Sequence, residues 1–154
     1  MAERVRVSPE HVVELVAAVD DVDELGHISN VAYVRWVQDA AKAHSQAVGW
    51  DHARYEELGS VFVVRRHEIE YVRPTYAGER IRTVTWIEDW RVASSTRRTL
   101  LLREEEEVAR AATLWALVST ETGRPRRIPS VIKDAFALSE SESESESEGE
   151  GEGE

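Results

Sequence analysis

Residues 30–48 place the strongest constraint on what this chain folds into. Set out at about 100° per residue, Arg35, Gln38, Asp39, Lys42, Ser45 and Gln46 fall in one arc of roughly 120°. Tyr33, Val34, Trp36, Val37, Ala40, Ala41, Ala43, Ala47 and Val48 occupy roughly 200° of the remainder. A surface helix presents an apolar stripe of about 100°. One this wide needs partners on most of its sides, so the rest of the chain must wrap around it. Ser29 or Asn30 supplies a cap at its start, and Gly49 stops it.

The flanking segments provide the wrapping. Residues 11–19 read as a strand whose odd positions Val13, Leu15, Ala17 and Val19 form an apolar face. An acidic turn, Asp20 to Ser29, leads from it to the helix. Beyond Gly49, Asp51–Leu58 reads as a short helix. Four extended segments follow, Val61–Arg73, Glu79–Trp90, Ala93–Glu104 and Val108–Glu121, punctuated by Pro74, Gly78 and the Glu104–Glu107 run. The last is apolar at both parities from Ala109 to Val118, which predicts an inner strand covered on both faces. Gly123–Pro129 is a basic loop and Ser130–Leu138 a closing helix. Strand, long helix, then four strands without crossovers is an α+β pattern with antiparallel pairing. The expected architecture is an antiparallel sheet curled around one long central helix.

Charge bounds what the domain meets. The 154 residues carry 30 acids and 19 bases, a net charge of -11. Eight glutamates lie in residues 139–154, a Ser-Glu and Gly-Glu repeat with nothing apolar to bury, expected to be disordered and outside the domain of residues 1–138. That leaves 22 acids against 19 bases, or -3, in the body. Neither the nearly neutral body nor the acidic tail suits nonspecific binding to nucleic acid or anionic membrane. The absence of cysteine excludes disulfides, thiolate metal sites and cysteine nucleophiles. The histidines lack metal-ligand spacing, so no metal is expected. No apolar run approaches the ~20 residues that span a bilayer, and Met1–Ala18 lacks a signal-peptide layout, so a cytoplasmic protein is expected.

The densest polar run, Asp20 to Asn30, immediately precedes the helix. The open N–H groups of a helix N-terminus form a partial positive pole able to polarise a carbonyl oxygen. Asp23 lies one loop width ahead of it, a position for a base or nucleophile, and Gly26 permits close backbone approach. The same residues also serve as caps and turns, so composition and spacing leave both readings open. Gly-x-Ser-x-Gly and P-loop motifs are absent, which removes the common serine hydrolase and nucleotide hydrolase readings.

Asp21-x-Asp23-x-x-Gly26-His27-x-x-Asn30-x-x-Tyr33, followed by Arg35-Trp36, resembles the signature of hot-dog-fold thioesterases of the 4-hydroxybenzoyl-CoA thioesterase type. Phe62-Val63-Val64-Arg65-Arg66-x-x-Ile69-Glu70-Tyr71-x-x-Pro74 and Arg124-Pro125-Arg126-Arg127-Ile128-Pro129 resemble a strand and a closing loop of the same group. The resemblance implies a hot-dog fold, assembly as a homodimer or homotetramer with sites at subunit interfaces, and hydrolysis of an acyl thioester. It implies Asp23 as the catalytic carboxylate, the N–H near Asn30 as the donor to the thioester oxygen, and His27 beside them. Coenzyme A is then part of the substrate, with no separate cofactor. Where some members carry three basic residues for its phosphates, this chain has Arg91-Val92-Ala93, with Ser94 still matching a following serine. Arg126 and Arg127 are candidates to supplement Arg91. An acyl carrier protein as the thioester donor, or a non-catalytic acyl-thioester-binding module, are the alternatives.

Among the remaining residues, His44 falls inside the apolar arc and is expected to be packed and hydrogen-bonded. His67 is expected on a solvated strand face, and His11 and His52 are expected to lack chemical company. The Glu104–Glu107 run reads as a solvated hairpin end, and the five tryptophans as core, interface or acyl-pocket residues.

Overall fold

A computed structural model describes residues 6–138; the acidic tail expected from residue 139 onward lies outside them. The elements in order are β1 (His11–Val16), a 3-10 turn (Val19–Asp21), α1 (Asn30–Ala47), α2 (His52–Leu58), β2 (Ser60–Tyr71), β3 (Arg80–Trp90), β4 (Ser94–Arg103), β5 (Glu106–Ser119) and α3 (Ser130–Ala137). The strands form one sheet ordered β1-β3-β4-β5-β2, with every neighbouring pair antiparallel. This is the α+β architecture expected, an antiparallel sheet against one long helix.

The sheet meets α1 through its odd-numbered rows. Thr83, Leu101 and Ala109 stand side by side across β3, β4 and β5, and Thr85, Thr99 and Ala111 form the next row. Ala32, Tyr33, Trp36 and Val37 of α1 pack with Ile81, Leu101, Ala109 and Ala111 at the N-terminal half of the helix. Beyond its other end, Trp50, Tyr55, Ile87, Leu117, Ile132 and Phe136 form a second apolar cluster, closed by α2 and α3. Between these clusters the rows turn polar, with Thr85, Thr99, Thr113, Arg97 and His44 all buried.

Several local expectations need correction. The strand predicted over 11–19 ends at Val16: Ala17 N–H bonds to the Glu79 carbonyl at 2.9 Å, the chain turns, and Val19 is left 75% exposed rather than on the apolar face. β5 is an inner strand, but its outward Ala112 and Leu114 are only half-buried. The Glu104–Glu107 run is the solvated hairpin end expected, and it carries ion pairs besides. Glu104 turns the hairpin at φ 57°, while Glu106 pairs with Arg103 and Glu107 with Arg110. His67 is half-buried, with Nδ1 2.9 Å from Thr113 Oγ1 and Nε2 3.3 Å from Gln38 Nε2. His11 does have company, since its ring stacks on His44 at 5.2 Å. So does His52, whose Nε2 lies 2.8 Å from Glu56 Oε1.

Candidate functional site

The Asp20–Asn30 run folds back on itself ahead of α1. Ser29 N–H donates to the Asp21 carbonyl at 2.7 Å, Val22 bridges Ile28, and Asp23 N–H donates to the His27 carbonyl at 2.7 Å. Gly26 closes the tip at φ 83°, a left-handed conformation that side chains resist. Arg35 pairs with Asp21 and ties the base of this small hairpin to the helix.

Within it, the Asp23 side chain is exposed and fixed. Its Oδ1 accepts from Leu25 N–H at 2.9 Å and from His27 N–H at 3.3 Å. Two backbone donors on one oxygen orient the carboxylate and leave Oδ2 turned to other partners. The strand-like pairing of 21–23 with 27–29 sets Asp23 about two residues, or roughly 7 Å, along the hairpin from the helix start. There Ser29 Oγ caps Val31 N–H at 3.2 Å, and the Ser29 carbonyl takes Ala32 N–H at 3.0 Å. Asn30 is exposed as the first residue of this 18-residue helix, and its N–H bonds to no acceptor among the described residues. Asp23 and the helix N-terminus therefore belong to one short hairpin. His27 is half-buried, its ring edge-on to Tyr76 at 5.5 Å, so it shapes the hairpin through its backbone and packing. Below, Tyr33 Oη meets Thr75 Oγ1 at 2.6 Å, and burial raises its pKa.

The basic candidates lie at the opposite end. Arg91 is exposed, with Nε 3.9 Å from Asp89 Oδ2, and its N–H bonds to the Ser94 carbonyl across the β3–β4 turn at 2.8 Å. Ile128 N–H bonds to the Val92 carbonyl at 2.9 Å, which brings exposed Arg127 to the same end. Arg126 is committed inward, donating from Nη1 to the Leu58 carbonyl and Ser60 Oγ, both at 2.9 Å. The Asp23 hairpin, by contrast, is tied to the loop that leads into β3 through Ile28 N–H and the Thr75 carbonyl at 2.8 Å. The 11 residues of β3 span roughly 35 Å. One chain thus holds Asp23 with Asn30, and Arg91 with Arg127, but not the two groups together.

Sequence reasoning missed a third feature, a cavity of about 290 Å³ beside the C-terminal half of α1, lined by Trp50, Trp90, Trp115, Phe62 and Phe136. Arg97 opens onto it. Its Nη1 lies 2.9 Å from His44 Nδ1 and 3.1 Å from Thr85 Oγ1, and its guanidinium sits 5.8 Å from the Phe136 ring. Burial lowers the Arg97 pKa to about 10, which still leaves it charged near neutrality. Burial, with Arg97 and His11 adding, lowers the His44 pKa to about 2, so this imidazole is neutral and its Nδ1 accepts from Arg97. The lining residues come from separate elements, and only the abundance of tryptophan hinted at a pocket.

A family model described as the thioesterase-like superfamily matches residues 17–136. No curated protein matches the sequence. Among solved structures, the chain is similar to the DHNA-CoA thioesterase from Staphylococcus aureus, with 19% identity and a TM-score of 0.77 over 83% of this chain and 89% of that one. It is similar to a 1,4-dihydroxy-2-naphthoyl-CoA thioesterase from Synechocystis at 14% identity and a TM-score of 0.76, covering 83% and 96%. A hypothetical protein from Aquifex aeolicus gives 17% identity and a TM-score of 0.77, covering 82% and 98%. At these identities the likeness is one of fold. Among the described residues no helix is long and apolar enough to cross a membrane, and no group of three or more His, Cys, Asp or Glu is placed to hold a metal.

Proposed function

Since this chain belongs to the thioesterase-like superfamily, whose membership supports thioester hydrolysis as its general chemistry, we propose that it hydrolyses an acyl-CoA thioester to the carboxylic acid and CoA, with Asp23 as the catalytic carboxylate. The observation that carries this is an oriented, exposed carboxylate in the hairpin that leads into a helix whose Asn30 N–H has no acceptor among the described residues. The thioester oxygen accepts from Asn30 N–H, where the helix pole stabilises the negative charge that develops on it. Asp23 takes a proton from water while hydroxide adds to the carbonyl carbon. The tetrahedral adduct then expels the thiolate as the C–S bond breaks, and the thiolate takes the proton. Direct attack by Asp23, giving a mixed anhydride that water then opens, uses the same geometry.

The reading includes a second copy of the chain. Arg91 and Arg127 reach a substrate at Asp23 only if another protomer brings its opposite end alongside. β2 is an edge strand of 12 residues, and Val31, Tyr71 and Val72 near the helix start are exposed apolar side chains. A homodimer, or a homotetramer built from it, covers them and meets CoA phosphates with the partner's basic end. The CoA thioesterases among its structural neighbours support CoA as the carrier, and a CoA ester as substrate accords with a cytoplasmic protein. One observation favours the carrier-protein alternative: Arg126 is spent on Leu58 and Ser60, which thins the phosphate-binding set.

Asp23→Asn keeps an Oδ1 acceptor for Leu25 and Ile28's neighbour His27, so the hairpin stays. The variant is expected to lose about 10²- to 10⁴-fold in kcat on the best acyl-CoA while its melting temperature holds. Full retained activity would remove Asp23 from the mechanism. Offering one acyl group on CoA and on a carrier protein decides the donor.

A further inference from the structure

We infer that the cavity at the C-terminal half of α1 is a binding site for an organic acid, with its carboxylate on Arg97 and its apolar body among the tryptophans. Hydrolysis at Asp23 is not needed for this site to exist.

The charge is where it begins. Arg97 is 5% exposed, and the two hydrogens of Nη1 are spent on uncharged acceptors, His44 Nδ1 and Thr85 Oγ1. Among the described residues no carboxylate pairs with it. Other arginines on the same strand behave differently: Arg98 has Glu88 at 3.0 Å, and Arg103 has Glu79 at 2.9 Å. The arginines of β4 that are less buried have carboxylate partners, and the buried one has none. A guanidinium taken out of water without a counter-charge is costly. A ligand anion at Nη2 and Nε recovers that cost, and the planar fork suits a carboxylate.

A second, independent observation points the same way. The Nε1–H groups of Trp50 and Trp115 are buried without an acceptor among the described residues, and both rings line this cavity. The nearby hydroxyls are already donating, Ser45 Oγ to the Trp50 carbonyl at 2.6 Å and Ser95 Oγ to the Asp89 carbonyl at 2.9 Å. Asp51 at the rim accepts Arg54 N–H on Oδ1 at 2.9 Å as the cap of α2. The cavity thus joins a guanidinium without a carboxylate partner to aromatic walls that hold unsatisfied indole donors, a setting that suits an anion on an apolar body. About 290 Å³ equals about ten water volumes of ~30 Å³, room for an acid with one ring or a medium-length chain.

The test is binding of paired acids and amides to the full chain, 3-phenylpropionate with its primary amide and octanoate with its primary amide, read by tryptophan fluorescence and calorimetry. At least one acid is expected to bind about tenfold tighter than its own amide, and Arg97→Gln to abolish that preference. Ala41→Met, which fills the cavity from the helix, is expected to weaken acid and amide alike without lowering the melting temperature, and it serves if Arg97→Gln fails to fold. Equal binding of acid and amide, no binding by either acid at millimolar concentration, or a preference that survives Arg97→Gln would each overturn the inference. So would an Arg97→Gln chain that falls from oligomer to monomer with no acid preference in the wild type, which assigns the charge to a subunit contact. An acid that competes with an acyl thioester marks the far end of the acyl group as the occupant. One that leaves thioester KM unchanged marks a free acid, and either result supports the site.

Discussion

The two ends of α1 hold polar groups in opposite ways. At the N-terminal end they come from residues 21–30, are exposed or half-buried, and are set by backbone hydrogen bonds of a hairpin that Gly26 closes. At the C-terminal half they come from α1, the turn after it, and strands β3, β4 and β5, and they are buried. The first arrangement leaves its carboxylate open to solvent. The second fixes a charge and two indole donors in an apolar surround, where an unmet polar group is costly. Reactive chemistry suits the former and recognition the latter.

The largest expected effect separates them by function. Asp23→Asn should lower kcat by about 10²-fold or more while leaving acid binding at Arg97 unchanged, because Arg97 contacts His44, about four turns along α1 from the helix start that Asp23 precedes. Measuring turnover and tryptophan fluorescence on the same variant checks this. If acid binding also changed, the partner's hairpin would have to reach the cavity, and the comparison would become one between two halves of a single site.

That contrast also explains what was legible in the sequence. The central helix, the strand count and the antiparallel pairing follow from periodicity and connection length, because those signals are local. The Asp23 hairpin is local too: its carboxylate, glycine and helix start fall within eight residues, Asp23 to Asn30. Arg97 gave no signal, because Thr96-Arg97-Arg98 reads as an ordinary polar strand and alternation cannot tell which of two adjacent arginines turns inward. Register decides that, placing Arg97 opposite Ile87 and Thr113 in the row facing α1. Register likewise turns His67 away from the solvated face expected of it, opposite Thr113 in that row. Arg126 matched a loop motif, yet its side chain turns inward to the α2–β2 junction, a contact with residues more than sixty positions earlier.

A smaller effect appears in the pH dependence of stability. His44 is held neutral down to about 2 by burial, with Arg97 and His11 adding, against an ordinary value of 6.5. The unfolded chain therefore binds a proton below about 6.5 that the folded chain refuses, so stability falls as pH drops through that range and is whole above it. The slope approaches about 1.4 kcal/mol per pH unit from this one group. His67, also lowered by burial, adds in the same direction. Denaturant unfolding at pH 7, 6, 5 and 4 measures it. His44→Gln should flatten the profile below pH 6.5, and an unchanged slope would place the acid sensitivity elsewhere, sharpening the contrast between a buried polar end and an exposed one.

The smallest effect tests whether the N-terminal end acts through backbone rather than side chain. Ser29 Oγ caps Val31 N–H, and Ser29→Ala should cost about 1 kcal/mol of stability with kcat reduced less than about tenfold, since Asn30 N–H remains to polarise the thioester. Ser29→Asp restores an acceptor of equal capping strength and places a negative charge on the positive pole of the helix, which stabilises the fold. The same charge opposes the oxyanion that the proposed mechanism sets at this pole. Stability and turnover should therefore part company: the aspartate variant melts at or above the wild-type temperature while its kcat falls below that of the alanine variant. If both quantities recover together in Ser29→Asp, the helix pole contributes to folding alone, and the thioester oxygen is polarised by some other donor.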